Sequence, residues 1–391
     1  MSPPARRIAL IGNQAASLLN FRRELIAAWL ARDAEVFALA PDWCDKTRAQ
    51  LRQWGATPVD YALKRTGMNP VQDLAHTLRL ARLLKKLRID ICFTYFIKPV
   101  IYGTLAARLA GVPQRFAMIE GAGYVFDDAA SSLKHHILRK IVTSLYTLSL
   151  KHTQKTFFLN SEDQTLFIQT GMLSANQAVQ LGPIGVDLNY FCPSPLPPGP
   201  PCFLMAARLI AAKGVKEFME AAAEVHKHRP DARFILLGAT DANPGALSET
   251  LIRTWTQNYR VDWPGAVSDV RPYLAQASVC VLPSYYKEGV PRSLQEAAAC
   301  ARPVITTDTP GCRDTIIPGK TGLLVPPKNS QALAHAMLKI LENPNELAKM
   351  GQNARQLAQN RFNAHTTCAR LCDEMGLPAP PTLDATKQAK P

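Results

Sequence analysis

Residues 192–201 read CPSPLPPGPP, and CFLMAA follows at 202–207. Six of the first ten residues are prolines, which excludes a helix or a central strand because proline has no backbone N–H to donate. Such a stretch forms a semi-rigid spacer, whereas the apolar run from Phe203 to Ala207 has the length of a buried strand. A spacer that leads into a new strand predicts two domains joined here, which suits a chain of 391 residues.

Short apolar segments alternate with amphipathic helical segments on both sides of this spacer. The predicted strands are Ile8–Gly12, Glu35–Ala40, Ile91–Tyr95, Arg115–Ile119, Phe203–Ala207, Phe234–Gly238, Val279–Leu282 and Val304–Thr306. The predicted helices are Leu18–Ala31, Thr47–Trp54, Leu74–Leu87, Tyr102–Ala110, a long stretch within 131–155, Val215–His226, one that starts near Pro291, Gln331–Leu341 and Glu346–Arg361.

This alternation is typical of parallel sheets covered by helices on both faces. We therefore predict an α/β fold with two Rossmann-like parallel-sheet domains that face a central cleft, since open α/β sheets bind ligands at the carboxyl ends of their strands. The predicted domains are 1–190 and 202–362, with a linker at 191–201 and a C-terminal helix and polar tail at 363–391.

The bulk composition limits the class of protein. Hydrophobic residues make up 47% of the chain and charged residues 19%, as in an ordinary globular protein. The longest apolar runs have strand length, and the polar N-terminus does not resemble a secretory signal. The nine cysteines are scattered without a C-x-x-C pair, which predicts reduced thiols in the cytoplasm and argues against a zinc site.

The net charge of +14 is concentrated in the first half of the chain. Residues 1–195 carry 23 Lys and Arg against 14 Asp and Glu, a balance of +9. Within 131–155, apolar residues at helical spacing are surrounded by basic ones such as Lys134, His135, Arg139 and Lys140. A helix of this kind either lies in an anionic membrane interface or packs as an ordinary surface helix, and the sequence leaves both open.

Two cations follow the first strand of the second domain. Arg208 comes directly after Phe203–Ala207, and Lys213 precedes Gly214 on the same loop. Cations at a strand end, close to the N-terminus of the next helix, suit a diphosphate.

Two glutamates lie eight residues apart in PSYYKEGVPRSLQEA, residues 283–297. Glu288 falls in a loop rich in Gly and Pro and is placed to face the cleft. Glu296 lies about one turn into the following helix, where it could accept from ribose hydroxyls or serve only as an acid favoured by the helix dipole. The backbone N–H groups of Val290, Arg292 and Ser293 are candidates for binding an anion.

These segments resemble the E-x7-E motif and the diphosphate-binding cations of retaining family 4 glycosyltransferases with the GT-B fold. GAVSDVRPYL at 265–274 and PGCRDTIIPGKTGLLV at 310–325 extend the resemblance. It implies that Glu288 contacts the transferred sugar, that Glu296 binds the nucleotide ribose, and that Arg208 and Lys213 neutralise the leaving diphosphate. The loop Gly12, Asn13, Gln14 would approach the same phosphates, and Val267 would hold the base through main chain. No metal and no cofactor would be required.

A closer likeness is to bacterial enzymes that extend sugars on undecaprenyl diphosphate, above all N-acetylgalactosaminyl- and galactosyltransferases. LLNFRRELI (18–26), RFAMIEGAGY (115–124), LSLKH (148–152) and KGVKEF (213–218) carry this likeness. It implies a UDP-sugar donor, a lipid-linked sugar diphosphate acceptor and docking at the anionic inner face of the membrane, through the basic faces around Arg79–Arg88 and Lys134–Lys140. Where the family has a His-Asp pair, this chain has Glu120-Gly121, so Glu120 either aligns or deprotonates the acceptor hydroxyl or is a structural glutamate.

Other functions remain to be weighed. A nucleotide-sugar 2-epimerase or a phosphorylase shares the same fold, and a sugar-nucleotide sensor would bind without catalysis. A nucleic-acid-binding protein is disfavoured, since the charge is diffuse and no recognised nucleic-acid-binding motif occurs.

Overall fold

The computed structural model describes residues 5–64, 67, 69–126, 132–240 and 245–380. They form two compact units, each described by itself. The first unit contains residues 5–120, 136–181 and 365–380, and the second contains most of 121–135 together with 182–364. Ser131 of the predicted basic stretch and residues 381–391 of the predicted tail lie outside the described residues.

The first unit is built on a parallel sheet of seven strands in the order β3-β2-β1-β4-β5-β6-β7. Its strands are β1 (Arg7–Ile11), β2 (Glu35–Ala40), β3 (Thr57–Asp60), β4 (Ile91–Tyr95), β5 (Gln114–Ile119), β6 (Lys155–Phe158) and β7 (Ala178–Gln180). Its first helices are α1 (Ala15–Phe21), α2 (Arg23–Leu30), α3 (Asp45–Gln53), α4 (Pro70–Lys86), α5 (Thr104–Leu109), α6 (Leu133–Leu150) and α7 (Ser161–Gln169). This pattern confirms the predicted parallel sheet, and β3, β6 and β7 are strands that the sequence analysis did not predict.

Two predicted helices differ from the structure in their extent. The helix expected over Leu18–Ala31 is interrupted at Arg22, whose backbone (φ −126°, ψ 7°) leaves the helical region. The interruption coincides with burial of the Arg22 side chain. The helix expected over Tyr102–Ala110 is present as α5 over Thr104–Leu109, whereas Tyr102 belongs to a π-helical turn, Pro99–Gly103, that leads into it.

The second unit repeats the architecture with a parallel sheet of six strands in the order β10-β9-β8-β11-β12-β13. Its strands are β8 (Cys202–Ala206), β9 (Arg233–Leu237), β10 (Asp262–Gly265), β11 (Val279–Leu282), β12 (Val304–Thr307) and β13 (Gly322–Val325). Its helices are α8 (Val215–His228), α9 (Glu249–Tyr259), α10 (Arg271–Gln276), α11 (Arg292–Ala299), α12 (Ser330–Ile340) and α13 (Pro344–Arg361). The last helix, α14 (Ala364–Glu374), belongs almost entirely to the first unit.

Buried aromatic side chains pack against each other in the core of each unit. Trp29 of α2 meets Phe93 of β4 edge to face, with ring centroids 5.6 Å apart. In the second unit Phe203 and Phe234 of neighbouring strands stack at 5.1 Å, and all four side chains are buried. Burial of each such ring contributes about 2–3 kcal/mol, so these contacts fix the strands whose carboxyl ends carry the candidate site residues.

The proline-rich segment is bound to the second unit by two arginines. Arg302 is fully buried and donates to the carbonyl oxygens of Ser194 and Pro195 at 2.8 and 3.0 Å, and to Leu274 O at 2.7 Å. Arg355 donates to Phe191 O at 2.9 Å. The segment 191–195 is therefore held by side-chain hydrogen bonds, although proline prevents it from joining a helix or a sheet.

No helix in the described part of the chain is long and apolar enough to cross a membrane.

Candidate functional site

The predicted site residues fall into two sets, one in each unit, and most follow the carboxyl ends of parallel strands. The second unit holds Arg208, Lys213, Val267, Glu288, Val290, Arg292, Ser293 and Glu296. The first unit holds Gly12, Asn13, Gln14 and Glu120. Strand ends of this kind are where open α/β sheets bind ligands.

In the second unit, Lys213 Nζ donates to Glu288 Oε1 in an ion pair. Both residues are 9% exposed, so each charge has lost most of its hydration and depends on the other. Ser284 Oγ, which is fully buried, donates to the same Oε1 at 2.8 Å. Lys213 follows β8 and Glu288 follows β11, and these two strands are neighbours in the sheet.

Gly214 determines where Lys213 lies. It adopts φ +79°, which favours glycine, and precedes α8 as its N-cap. A side chain at this position would collide with the carbonyl oxygen of Pro283 at the end of β11. The loop after β8 therefore lies directly against the loop after β11, and this contact brings Lys213 to Glu288.

The Glu288 loop is supported from two further directions. Ser284 O accepts from Thr307 Oγ1, and from Thr309 Oγ1 at 3.2 Å. A side chain at Gly311 would collide with the backbone of residues 288–289, and one at Gly121 (φ +122°) would lie 2.7 Å from Gly289 N. Close backbone packing of this kind holds Glu288 in one place, which an electrostatic catalytic group requires.

Arg208 and Val267 also lie on loops that follow strands of this unit. Arg208 is exposed on the loop after β8, while Val267 follows β10 and packs, partly buried, against the core of its unit. The structure thus brings Lys213 and Glu288 into contact.

Helix α11 carries the remaining predicted residues of this unit. Pro291 caps its N-terminus, Val290 is buried just before it, and Arg292 Nε pairs with Glu296 Oε1 at 3.0 Å. Ser293 and Glu296 line a small hollow together with Val270 and Leu274. The first N–H groups of α11 and its dipole favour a negatively charged group at this end of the helix.

In the first unit, the loop Gly12, Asn13, Gln14 joins β1 to α1. Tyr61 Oη donates to Gly12 O at 2.6 Å, and a side chain at Gly12 would lie 2.5 Å from Tyr95 Oη. Burial raises the pKa of both tyrosines well above the usual value, so each remains a hydroxyl donor at neutral pH. Asn13 Oδ1 is buried without a hydrogen-bond partner among the described residues, and a ligand or a water molecule could satisfy it.

Glu120 follows β5 and forms an ion pair with Arg22 through its Oε1. The Arg22 side chain is 2% exposed and the Glu120 side chain 15%. The guanidinium carbon lies 4.2 Å from the centroid of the Tyr95 ring. Glu120 is therefore held by a buried cation and keeps partial access to solvent.

Several supporting residues carry no local signal that the sequence analysis could use. Ser284 lies inside the quoted segment 283–297, and Arg22 lies inside 18–26, yet their partners are set by the fold. The described residues include no cluster of three His, Cys, Asp or Glu that could hold a metal ion. Metal independence stays a prediction.

Comparison with known proteins gives consistent matches over nearly the whole chain. Residues 189–357 match the family described as Glycosyl transferases group 1, and residues 20–182 match the Glycosyl transferase 4-like domain. A Campylobacter jejuni protein is 32% identical over 90% of this chain and 93% of its own length. It is named N,N'-diacetylbacillosaminyl-diphospho-undecaprenol alpha-1,3-N-acetylgalactosaminyltransferase.

An Escherichia coli relative, UDP-Gal:alpha-D-GlcNAc-diphosphoundecaprenol alpha-1,3-galactosyltransferase, is 26% identical over 75% of this chain and 76% of its own length. Among solved structures, Anabaena HepE in complex with UDP and glucose has a TM-score of 0.77 at 17% identity, covering 94% of this chain and 99% of the other. Sucrose-phosphate synthase from Thermosynechococcus elongatus has a TM-score of 0.75 at 21% identity, covering 94% and 98%. At these identities the solved structures show the fold alone, and they confirm the predicted α/β architecture with two parallel sheets.

Proposed function

The chain belongs to the family 4 glycosyltransferases of the GT-B fold, and on this premise we propose that it transfers a hexose or N-acetylhexosamine from a UDP-sugar to a sugar on undecaprenyl diphosphate. The sugar is N-acetylgalactosamine or galactose, joined in an alpha-1,3 linkage. The names and extent of the Campylobacter and Escherichia relatives support this choice of donor and acceptor. The proposed catalytic role rests on the buried ion pair of Lys213 and Glu288.

We place the UDP-sugar on the second unit. A diphosphate that approaches Lys213 competes with Glu288 for the ammonium group, because Lys213 is already paired in this structure. Once Lys213 turns to the diphosphate, Glu288 is left to accept hydrogen bonds from the transferred sugar. Glu296 and Ser293 line the hollow beside α11, where ribose hydroxyls would find a carboxylate acceptor. Arg208 adds positive charge on the same loop as Lys213, and the N–H groups of Val290, Arg292 and Ser293 face the diphosphate.

Catalysis in this account is electrostatic. As the bond from the anomeric carbon to the diphosphate breaks, negative charge grows on the leaving oxygen and positive charge on the sugar ring. Lys213 stabilises the first charge and Glu288 the second, and both are in position once the donor is bound, which is the condition for a large effect. Attack by the acceptor hydroxyl on the face that the diphosphate leaves gives retention of configuration, and the leaving phosphate oxygen takes the hydroxyl proton.

On the first unit we assign Glu120 to the acceptor, where its carboxylate aligns the attacking hydroxyl before that hydroxyl turns its proton to the leaving phosphate oxygen. The loop Gly12, Asn13, Gln14 would contact a phosphate through its backbone. These roles are supported by the position of all four residues after the carboxyl ends of β1 and β5.

We further propose that the protein docks on the anionic cytoplasmic face of the membrane through α6. Leu133, Ile137, Ile141 and Leu148 are 76, 51, 41 and 44% exposed, whereas Val142, Tyr146 and Leu150 on another face are buried. The described part of α6 contains no Asp or Glu. An exposed apolar stripe on a basic helix is suited to the interface of an anionic bilayer.

The test is UDP release from a panel of UDP-sugars, with and without a short-chain polyprenyl-diphosphate sugar, in the presence of a chelator. Release that needs UDP-GalNAc or UDP-Gal together with the lipid supports the proposal. Release without acceptor would indicate hydrolysis or epimerase-like chemistry, and no release with any donor would contradict the proposal and favour a sensor.

A further inference from the structure

We propose that Arg22 is a positioning residue for Glu120, and that with Tyr95 it joins Glu120 to the loop that carries Gln14. This inference rests on the proposed function of Glu120 as the group that meets the acceptor. It concerns residues of the first unit only.

The backbone conformation at Arg22 places its side chain in the interior of the unit. A continuous helix through residues 18–31 would satisfy the apolar pattern, yet the chain turns at Arg22 between α1 and α2. The neighbouring Arg23 is exposed, as expected of a surface arginine, whereas Arg22 is 1% exposed. The interrupted helix therefore places one arginine of an adjacent pair inside the unit.

A buried guanidinium is costly unless its charge and its N–H groups are matched. Arg22 obtains this match from the Glu120 carboxylate, from Phe21 O at 2.9 Å and from the face of the Tyr95 ring. Arg22 Nε has no hydrogen-bond partner among the described residues. The strong partner of Arg22 is thus Glu120, and no other acid of the described residues pairs with it.

Tyr95 extends this contact to the loop after β1. Ser17 Oγ donates to Gln14 O at 2.8 Å, so the hydrogen bond of 3.0 Å between Ser17 and Tyr95 has the tyrosine hydroxyl as its donor. The burial that raises the pKa of Tyr95 keeps this proton in place. A chain of contacts then runs from Glu120 through Arg22, Tyr95 and Ser17 to the carbonyl oxygen of Gln14.

This chain fixes the orientation of the Glu120 carboxylate. Arg22 engages Oε1, and the Glu120 side chain remains 15% exposed. A planar guanidinium stacked on a ring has one orientation, and it transmits that orientation to the carboxylate. Glu120 then contacts an acceptor hydroxyl in a fixed geometry. Loss of such a geometry lowers the reaction rate by a large factor.

The test compares Arg22→Met, Arg22→Lys and Glu120→Gln with the double variant, using Arg23→Met as the matched control. We expect Arg22→Met to lower kcat by roughly tenfold or more, with KM for the UDP-sugar unchanged, and Arg22→Lys to restore part of the loss. The double variant should be no slower than Glu120→Gln alone, since Arg22 acts through Glu120. Independent, multiplicative losses in the double variant, or equal losses in Arg22→Met and Arg23→Met, would overturn the proposal.

A second measurement does not depend on activity. In protein labelled with 13C at the glutamate carboxyl, the Glu120 resonance is assigned by its disappearance in Glu120→Gln. It should move in Arg22→Met, move less in Arg22→Lys and stay in Arg23→Met. If Arg22→Met does not fold, Arg22→Lys decides, and an unmoved Glu120 resonance in that folded variant overturns the proposal. If the wild-type protein transfers no sugar, the proposed function fails, and this resonance still tests the Arg22 contact.

Discussion

Lys213 and Glu288 are 75 residues apart in sequence, and they form an ion pair in which each side chain is 11% exposed. The contact exists because Gly214 allows the loop after β8 to lie against Pro283. The two residues to which we assign the opposite charges of the transition state are thus paired with each other. The donor has to take Lys213 from Glu288 before the reaction.

Replacement of Glu288 by Gln should separate turnover from donor binding. We expect kcat to fall roughly 100-fold or more, since a preorganised charge at the reacting centre is lost. The affinity for UDP should stay the same or increase, because Lys213 no longer has a competing carboxylate. Steady-state kinetics and calorimetric titration with UDP measure the two effects.

Glu249→Gln is the matched control for this variant. Glu249 makes an exposed pair with Arg253 on α9 of the same unit, so the identical chemical change there should alter neither quantity. Unchanged turnover in Glu288→Gln would remove Glu288 from the mechanism.

The proline-rich segment should depend on Arg302 for its attachment. Replacement of Arg302 by Met removes the hydrogen bonds that its guanidinium donates to the carbonyl oxygens of Ser194, Pro195 and Leu274. Loss of a hydrogen bond from a charged group costs about 1.5–3 kcal/mol, so we expect the free energy of unfolding to fall by roughly 2 kcal/mol or more. Urea denaturation measures it, with Arg253→Met on the exposed face of α9 as a control that stays within about 0.5 kcal/mol. Equal stability of the two variants would show that the arginine does not anchor the segment.

Thiol reactivity should divide the nine cysteines into two exposed and seven buried groups. Cys44 and Cys192 are exposed, and the Thr47 hydroxyl lowers the pKa of Cys44. Burial raises the pKa of Cys202, Cys300 and Cys312 to about 11. At pH 8 a lower pKa means more thiolate, so Cys44 should react first with a disulfide reagent, then Cys192, and the others only on unfolding. A fast phase that survives Cys44→Ser would contradict this assignment.

Membrane docking through α6 should depend on its exposed apolar stripe and on its lysines. We expect the protein to sediment with anionic vesicles at low salt and to be released at high salt, since surface charge attraction is screened. Ile137→Ser/Ile141→Ser and Lys134→Glu/Lys140→Glu should each reduce the bound fraction roughly tenfold. Ile317→Ser, an exposed isoleucine of the second unit, is the control. Equal binding of all variants would exclude α6 as the docking surface.

The sequence was sufficient for most of the sheet framework. The strands at Glu35–Ala40, Ile91–Tyr95 and Val279–Leu282 have the predicted bounds, because continuous apolar runs of strand length are the pattern of a buried parallel sheet. Strand β3 reads TPVD and is half exposed, so it carries neither an apolar run nor a regular alternation. Its pairing with β2 decides its conformation.

The supporting contacts of the candidate site could not be predicted from the sequence. No residue near Arg22 indicates that its partner is Glu120, which lies 98 residues away. Arginine is also a good helix former, so the sequence does not indicate the turn between α1 and α2. The paired state of Lys213 and Glu288 is equally non-local. The motifs indicated which residues take part, whereas their partners depend on loops that the two sheets bring together.

The most direct test of the account is the structure of the lipid product. Purified protein is incubated with UDP-GalNAc or UDP-Gal and a polyprenyl-diphosphate sugar in the presence of a chelator, and the lipid is analysed by mass spectrometry and NMR. The account predicts a lipid heavier by one N-acetylhexosamine or hexose, with the new sugar in an alpha linkage, and much less of it with Glu288→Gln. A beta linkage, or consumption of the UDP-sugar with no change in the lipid, would contradict it.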